Sequence, residues 1–168
     1  MGQSVNGASR SLRNRIGVGF FAVAVAFIAA AIAVALRSGP ESPADPDDSA
    51  KVTRGKPIYD QHCATCHGVR LEGQPNWQDK LPTGRMPAPP HSASGHTWHH
   101  PDEVLLGITK HGLVSGRYAP PKYESDMPPF GGALSDEDIW AVLAYIKSSW
   151  PPEIRKAQQE VTAERSRR

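Results

Sequence analysis

Cysteine is scarce in this chain of 168 residues: there are two, Cys63 and Cys66, three positions apart. A pair so close cannot staple a fold together, so a disulfide framework is excluded and cysteine chemistry is confined to one spot. Charge of one sign is lacking as well. Residues 51–150 hold ten Lys/Arg against ten Asp/Glu, and the formal surplus of +2 lies in the last 18 residues. A nucleic-acid binder needs a clustered basic face, and nothing here supplies one. Alternating apolar and polar runs of the kind that mark strands are missing from residues 51–150, which leaves a mostly helical reading. At this length there is room for one ordinary domain and its attachments.

The apolar residues are concentrated near the N-terminus. Ile16 to Leu36 is an uncharged run of 21 residues, which as a helix spans about 31 Å, the thickness of a bilayer core. A secretory signal is the competing reading, and Ala33 and Ala35 offer a small-residue cleavage site. Signal cores are shorter, about 7–15 residues, so an uncleaved anchor over 16–36 is expected. Arg10, Arg13 and Arg15 precede the span and Arg37 alone follows it. That bias keeps residues 1–15 cytoplasmic and exports everything after the span. Residues 37–50 carry three prolines and four acids and read as a tether. Residues 51–150 form the expected domain, and 151–168 a charged tail, solvated rather than docked.

Three helices are expected within the domain. The first runs from about Arg54 to His62 with Thr53 as its cap, placing Pro57 in the first turn, where a missing N–H does little harm. The second opens at Pro101 with Asp102 and Glu103 in its first turn and Val104, Leu105 and Ile108 as its apolar face; it ends at Lys110-His111-Gly112. In the third, Ser135 caps a run in which Ile139, Val142, Leu143 and Ile146 recur at helical spacing until Trp150-Pro151-Pro152 stops it.

Cys63-Ala64-Thr65-Cys66-His67 carries the chemistry. In C-x-x-C-H the two thiols add to the vinyl groups of a haem, and the histidine lies under the ring as proximal iron ligand. A structural zinc site needs four ligands, and no further cysteine exists to complete one. A thioredoxin-like pair needs alternating strands and helices, which are absent. The sixth iron position separates electron carriers from ligand-binding or catalytic haem proteins. Met127, in Asp126-Met127-Pro128-Pro129-Phe130-Gly131-Gly132, is the candidate for it. Met86, in Gly84-Arg85-Met86-Pro87, is the competitor, and a histidine or an open site is the remaining option. His91, His96, His99 and His100 cluster conspicuously, but no cysteine, carboxylate or regular spacing accompanies them to complete a metal site. Trp77 and Trp98 are either core aromatics or shields of the haem edge.

Tyr59 to Gly68, Met127 to Gly132 sixty residues on, and Leu134 to Lys147 together resemble class I c-type cytochromes, the small bacterial haem-c domains found free, tethered to a membrane or built into oxidases and dehydrogenases. The resemblance covers about residues 51–150. It implies a mostly α fold of about three to five helices wrapped around one covalently bound haem c, here behind a single transmembrane helix. Cys63 and Cys66 would hold the porphyrin, and His67 and Met127 the iron. The first and last helices would cross, bringing Gly55 and Tyr59 against the region of Trp140 and Tyr145. A proline carbonyl after the motif would accept from the proximal imidazole, with Pro75 as candidate. Residues 81–100 depart from the family's pattern, being longer and richer in His and Pro. The function implied is single-electron carriage on the periplasmic side of a bacterial inner membrane, with membrane-bound redox complexes as donor and acceptor. The alternatives are a haem-c subunit of a larger oxidase or dehydrogenase, and a catalytic or gas-binding haem protein with an open distal side.

Overall fold

A computed structural model describes residues 42–114 and 116–168. The expected cytoplasmic segment 1–15, the span 16–36 and the first part of the tether lie outside the described residues. Among the described residues no helix is long and apolar enough to cross a membrane.

Among the described residues five α-helices follow in order: α1 Ser49–His62, α2 Ala64–His67, α3 Asp102–His111, α4 Asp136–Ser148 and α5 Pro152–Ser166, with one 3-10 turn at Thr97–His99 before α3. Among the described residues extended pairing is limited to an isolated bridge between Met86 and Ser125. The mostly helical expectation therefore holds for this part of the chain.

Helix α1 begins five residues earlier than the expected start at Arg54, with Asp48 rather than Thr53 as its cap. Asp48 caps it, its carboxylate accepting from the backbone N–H of Ala50 and Lys51 at 3.0 and 3.1 Å, and Asp is as good a cap as Ser or Thr. Pro57 consequently lies inside the helix, where it forgoes the bond to the Thr53 carbonyl. Packing offsets that loss. A Cβ placed on Gly55 would come within 2.0 Å of the Ala141 carbonyl oxygen, so α1 and α4 cross in backbone contact that only glycine permits. One turn on, the Tyr59 ring meets Tyr145 at 5.3 Å, as the resemblance implies.

Helix α4 is the spine of the core. Ser135 and Asp138 form a reciprocal capping box at its start, satisfying two otherwise orphaned donors. Its apolar residues divide between two clusters: Val142 and Ile146 join Tyr59, Ala64, Leu71 and Trp150, whereas Ile139 and Leu143 join Ala44, Leu105 and Leu134. The four expected positions are all buried.

Helix α3 has the expected bounds but not quite the expected face. Leu105 is buried, together with Asp102 and Thr109, while Val104 and Ile108 are only half-buried. The reason is polar. Asp102 and Lys147 form an ion pair at 2.9 Å with side chains only 5% and 2% exposed. Asp102 also accepts from the Gln158 amide at 2.6 Å and from the Ser42 hydroxyl.

That node reaches into both segments whose composition reads as solvated. Ser42 bonds to it, and Ala44 is fully buried beside Leu105. The last residues before α1 are thus packed rather than free. The tail forms α5, whose Gln158 is fully buried and donates to the His100 carbonyl and Thr162 Oγ1 as well as to Asp102. Arg165 pairs with Glu103 at 2.8 Å. The expectation of a solvated tail is therefore corrected: the helix docks through Ile154 against the core and otherwise through polar groups, which carry no hydrophobic signature in the sequence.

Candidate functional site: the C-x-x-C-H turn and its supports

The motif sits on one helical turn. Cys63 ends α1, its N–H bonding to the Tyr59 carbonyl at 2.8 Å, and begins α2 by accepting from the His67 N–H at 2.9 Å. Gly68 closes the turn with φ of 80°, a conformation that favours glycine. The Tyr59 hydroxyl, carried on α1, donates to the Gly68 carbonyl at 2.8 Å and locks the turn to the helix before it.

Both cysteines are free, Cys63 half-buried and Cys66 exposed. Burial, and secondarily the neighbouring Cys66, push the Cys63 thiol up to about 11. A thiol–disulfide exchange site works through a lowered thiol pKa, and the shift at Cys63 runs in the opposite direction.

His67 is 6% exposed, and its Nδ1 lies 2.8 Å from the Pro89 carbonyl oxygen. A carbonyl only accepts, so Nδ1 carries the proton and Nε2 keeps its lone pair. Burial holds the imidazole below its ordinary pKa, against the opposing pull of that hydrogen bond. A neutral histidine with one nitrogen anchored to a carbonyl is the form in which imidazole ligates iron.

The accepting proline is Pro89, not Pro75. Gln74 and Ala88 pair reciprocally, backbone N–H to carbonyl at 2.9 Å and Ala88 N–H to the Gln74 side chain at 2.9 Å. This fold-back carries residues 88–92 onto the segment after the motif, and Gly73, with φ of 68°, lets Pro89 and Pro90 approach. Fourteen residues of chain therefore separate the expected and observed acceptors.

His91 was legible only as one of four clustered histidines. In the structure it leaves that cluster and stacks on His67, ring centroids 3.9 Å apart at 21°. Its Nδ1 meets Thr97 Oγ1 at 2.7 Å, and its carbonyl accepts from the Trp150 indole at 2.7 Å. Burial first, then the charge of His67, hold its pKa well below the ordinary value. No signal in the sequence singles out His91, because the contact is across the fold.

Met127 is half-buried on the loop before α4. Its N–H donates to Ser125 Oγ at 3.2 Å. The same loop bonds to the end of α3, Phe130 N–H to the Thr109 carbonyl at 3.0 Å and Gly131 N–H to the Lys110 carbonyl at 2.9 Å. Helix-terminal carbonyls lack intrahelical partners, so α3 supplies ready anchor points. Met86 lies next to this loop, its N–H on the Glu124 carbonyl at 2.8 Å, while Arg85 donates to the Ser125 carbonyl and pairs with Asp126. The two candidate methionines are thus carried on adjoining segments.

The remaining histidines lie elsewhere. The His96 ring is 5.2 Å from that of His99 and 4.8 Å from that of His100, but among the described residues no three metal-binding side chains converge. Trp98 stacks on His99 and donates its indole N–H to the Ala93 carbonyl at 3.2 Å. That bond satisfies its polar atom within the protein. Trp77 is half-buried.

Two free thiols on one turn, beside a buried imidazole with an unprotonated Nε2, are the donor set that covalent haem attachment uses. Comparison with known proteins agrees. The family model for cytochrome c matches residues 52–150. The cytochrome bc1 complex cytochrome c subunit of Mycobacterium tuberculosis (strain ATCC 25618 / H37Rv) is 34% identical over 92 residues, covering 47% of this chain and 33% of that protein. Thiosulfate dehydrogenase of Stutzerimonas stutzeri (strain A1501) is 29% identical over 120 residues, 70% of this chain and 33% of that protein. The Cbb3-type cytochrome c oxidase subunit CcoP of Azospirillum brasilense is 27% identical over 99 residues, 59% of this chain and 28% of that protein. The matches thus span about a third of each relative's length. No solved structure matches significantly. On the motif turn, the helical frame and the family match together, the chain belongs to the cytochrome c family, whose domain carries covalently bound haem c with its iron.

Proposed function

We propose that this protein is a single-electron carrier of a membrane-associated electron-transfer chain. Cys63 and Cys66 form the thioethers, His67 is the proximal iron ligand through Nε2, and Met127 is the sixth ligand. The observation that carries the reading is the His67–Pro89 hydrogen bond of 2.8 Å, which leaves one ring nitrogen of a buried imidazole free beside two free thiols. When bound, haem c would supply an iron that changes oxidation state by one electron, held by His67 and Met127.

The chain's own residues do the rest. The α2 turn presents the thiols, Pro89 fixes the tautomer and orientation of His67, and the bonds that Phe130 and Gly131 donate to the Thr109 and Lys110 carbonyls hold the Met127 loop in place. Together with the His67 imidazole, the soft thioether of Met127 would raise the potential and keep exogenous ligands from the iron. No substrate bond is made or broken, and partner contact is small and brief, as redox encounters generally are. Anchoring by residues 16–36, with the domain on the periplasmic side of a bacterial inner membrane, raises the effective concentration of membrane-bound donor and acceptor complexes.

The test is carbon monoxide binding to the reduced holoprotein. The wild type stays low-spin and six-coordinate, and Met127→Ala binds the gas promptly. Prompt binding by the wild type refutes Met127 ligation and favours the catalytic or gas-binding alternative. If Met86→Ala rather than Met127→Ala opens the site, the sixth ligand is Met86.

A second reading has an observation behind it: two of the three relatives compared are by name subunits of respiratory complexes. In that case the haem serves one fixed partner, and the protein copurifies with that complex after mild detergent extraction.

A further inference from the structure

The segment that positions His67 has an unusual hydrogen-bonding problem. Pro89 and Pro90 have no N–H, so two successive residues cannot anchor the strap 88–92 through backbone donors. The two N–H groups that follow, of His91 and Ser92, both go to the carbonyl of Leu71, at 2.9 and 3.1 Å. Leu71 itself has φ of 65°, a left-handed conformation that non-glycine residues rarely adopt.

Besides these bonds and the Gln74–Ala88 pair, a row of side-chain donors holds the strap. Three consecutive carbonyls are each claimed by one: Pro89 by His67 Nδ1 at 2.8 Å, Pro90 by Thr97 Oγ1 at 3.5 Å, and His91 by the Trp150 indole at 2.7 Å. Thr97 donates the weakest of these bonds on distance, and it also meets the His91 ring. Of the side-chain donors outside the motif, the strong fixed point is therefore Trp150, a rigid side chain that is 2% exposed and packed against Tyr59, Val142 and Ile146 of the core.

We propose that Trp150 is a positioning residue for the haem iron: by holding the His91 carbonyl it aligns the Pro89 carbonyl with His67 Nδ1–H and so sets the reduction potential. This rests on His67 being the proximal ligand. A strong Nδ1–H hydrogen bond makes the imidazole a better donor and stabilises ferric iron. Weakening that bond must raise the potential.

The experiment uses the holoprotein and Trp150→Phe, which keeps a large ring in the core and removes only the indole N–H. Two quantities are read: the midpoint potential, and hydrogen exchange of the His67 Nδ1 proton in the ferrous state by NMR. We expect an upward shift of the potential and exchange roughly tenfold faster, the size of one ordinary hydrogen bond. Leu143→Ala, which loosens the other apolar cluster from within α4, leaves both unchanged. An unaltered potential and exchange rate in Trp150→Phe overturns the inference. So does a Leu143→Ala shift of equal size, since the effect is then one of general stability. If His67→Ala keeps a six-coordinate low-spin haem, the ligand assignment fails instead. The strap is then judged by amide exchange at His91 and Ser92, which Trp150→Phe must accelerate.

Discussion

Replacing Lys147 by Met removes one charge from the most buried ion pair of the domain while keeping most of the side chain's volume. Lys147 Nζ lies 2.9 and 3.0 Å from the two Asp102 oxygens, and the pair is 2% and 5% exposed. Solvent therefore screens it little. Removing one partner of such a pair leaves an uncompensated buried charge and costs about 3–5 kcal/mol. Here Asp102 keeps the Gln158 amide and the Ser42 hydroxyl, which places the expectation at the lower end, about 3 kcal/mol. Against a total stability of about 5–15 kcal/mol, the loss lowers the melting temperature by roughly 10 °C or more. Thermal and urea denaturation followed by circular dichroism measure it. The double variant Asp102→Leu/Lys147→Met should return to within about 1 kcal/mol of the wild type, because the Gln158 amide still has the His100 carbonyl and Thr162 Oγ1 to donate to. A single-variant loss below about 1 kcal/mol, the level of an exposed pair, would refute the reasoning, as would a double variant no better than the single.

Gly55→Ala puts a Cβ within 2.0 Å of the Ala141 carbonyl, so α1 and α4 must separate; a loss of about 3 kcal/mol is expected by denaturation, at the upper end for overpacking. Asp138 is held below its ordinary pKa by the Ser135 hydroxyl first and the Arg54 guanidinium next. A depressed folded pKa contributes stability that is present above the unfolded value of about 3.9 and lost as pH falls through the folded one; Asp138→Asn should therefore flatten the decline of melting temperature below about pH 4. Deleting residues 152–168 removes Gln158 and Thr162 from the Asp102 node and should lower the melting temperature while leaving haem content and the reduced spectrum unchanged. Altered haem incorporation would mean that α5 supports the site directly.

Much of the site and frame was legible in local pattern. C-x-x-C-H needs only neighbours in sequence to bring two thiols and an imidazole onto one turn, and the start of α4 follows from a cap, three acids and an apolar repeat. Such signals depend on residues within a turn or two of one another. The supports were not legible. Pro89 accepts from His67 because Gln74 and Ala88 pair, His91 stacks on His67 because the same strap folds back, and Gln158 is buried because Asp102 waits for it.

The chain by itself determined the cofactor class and the body of three helices, since each is written in residue types at fixed short spacing; the glycine at the crossing came from the resemblance to class I c-type cytochromes. Only the tertiary structure decided which proline orients His67, which residues brace that proline, and that Ser42 and the C-terminal helix belong to the packed domain. The reason is that a buried polar group is paid for by a partner distant in sequence, and a hydrogen bond between distant residues leaves no period for a linear pattern to reveal.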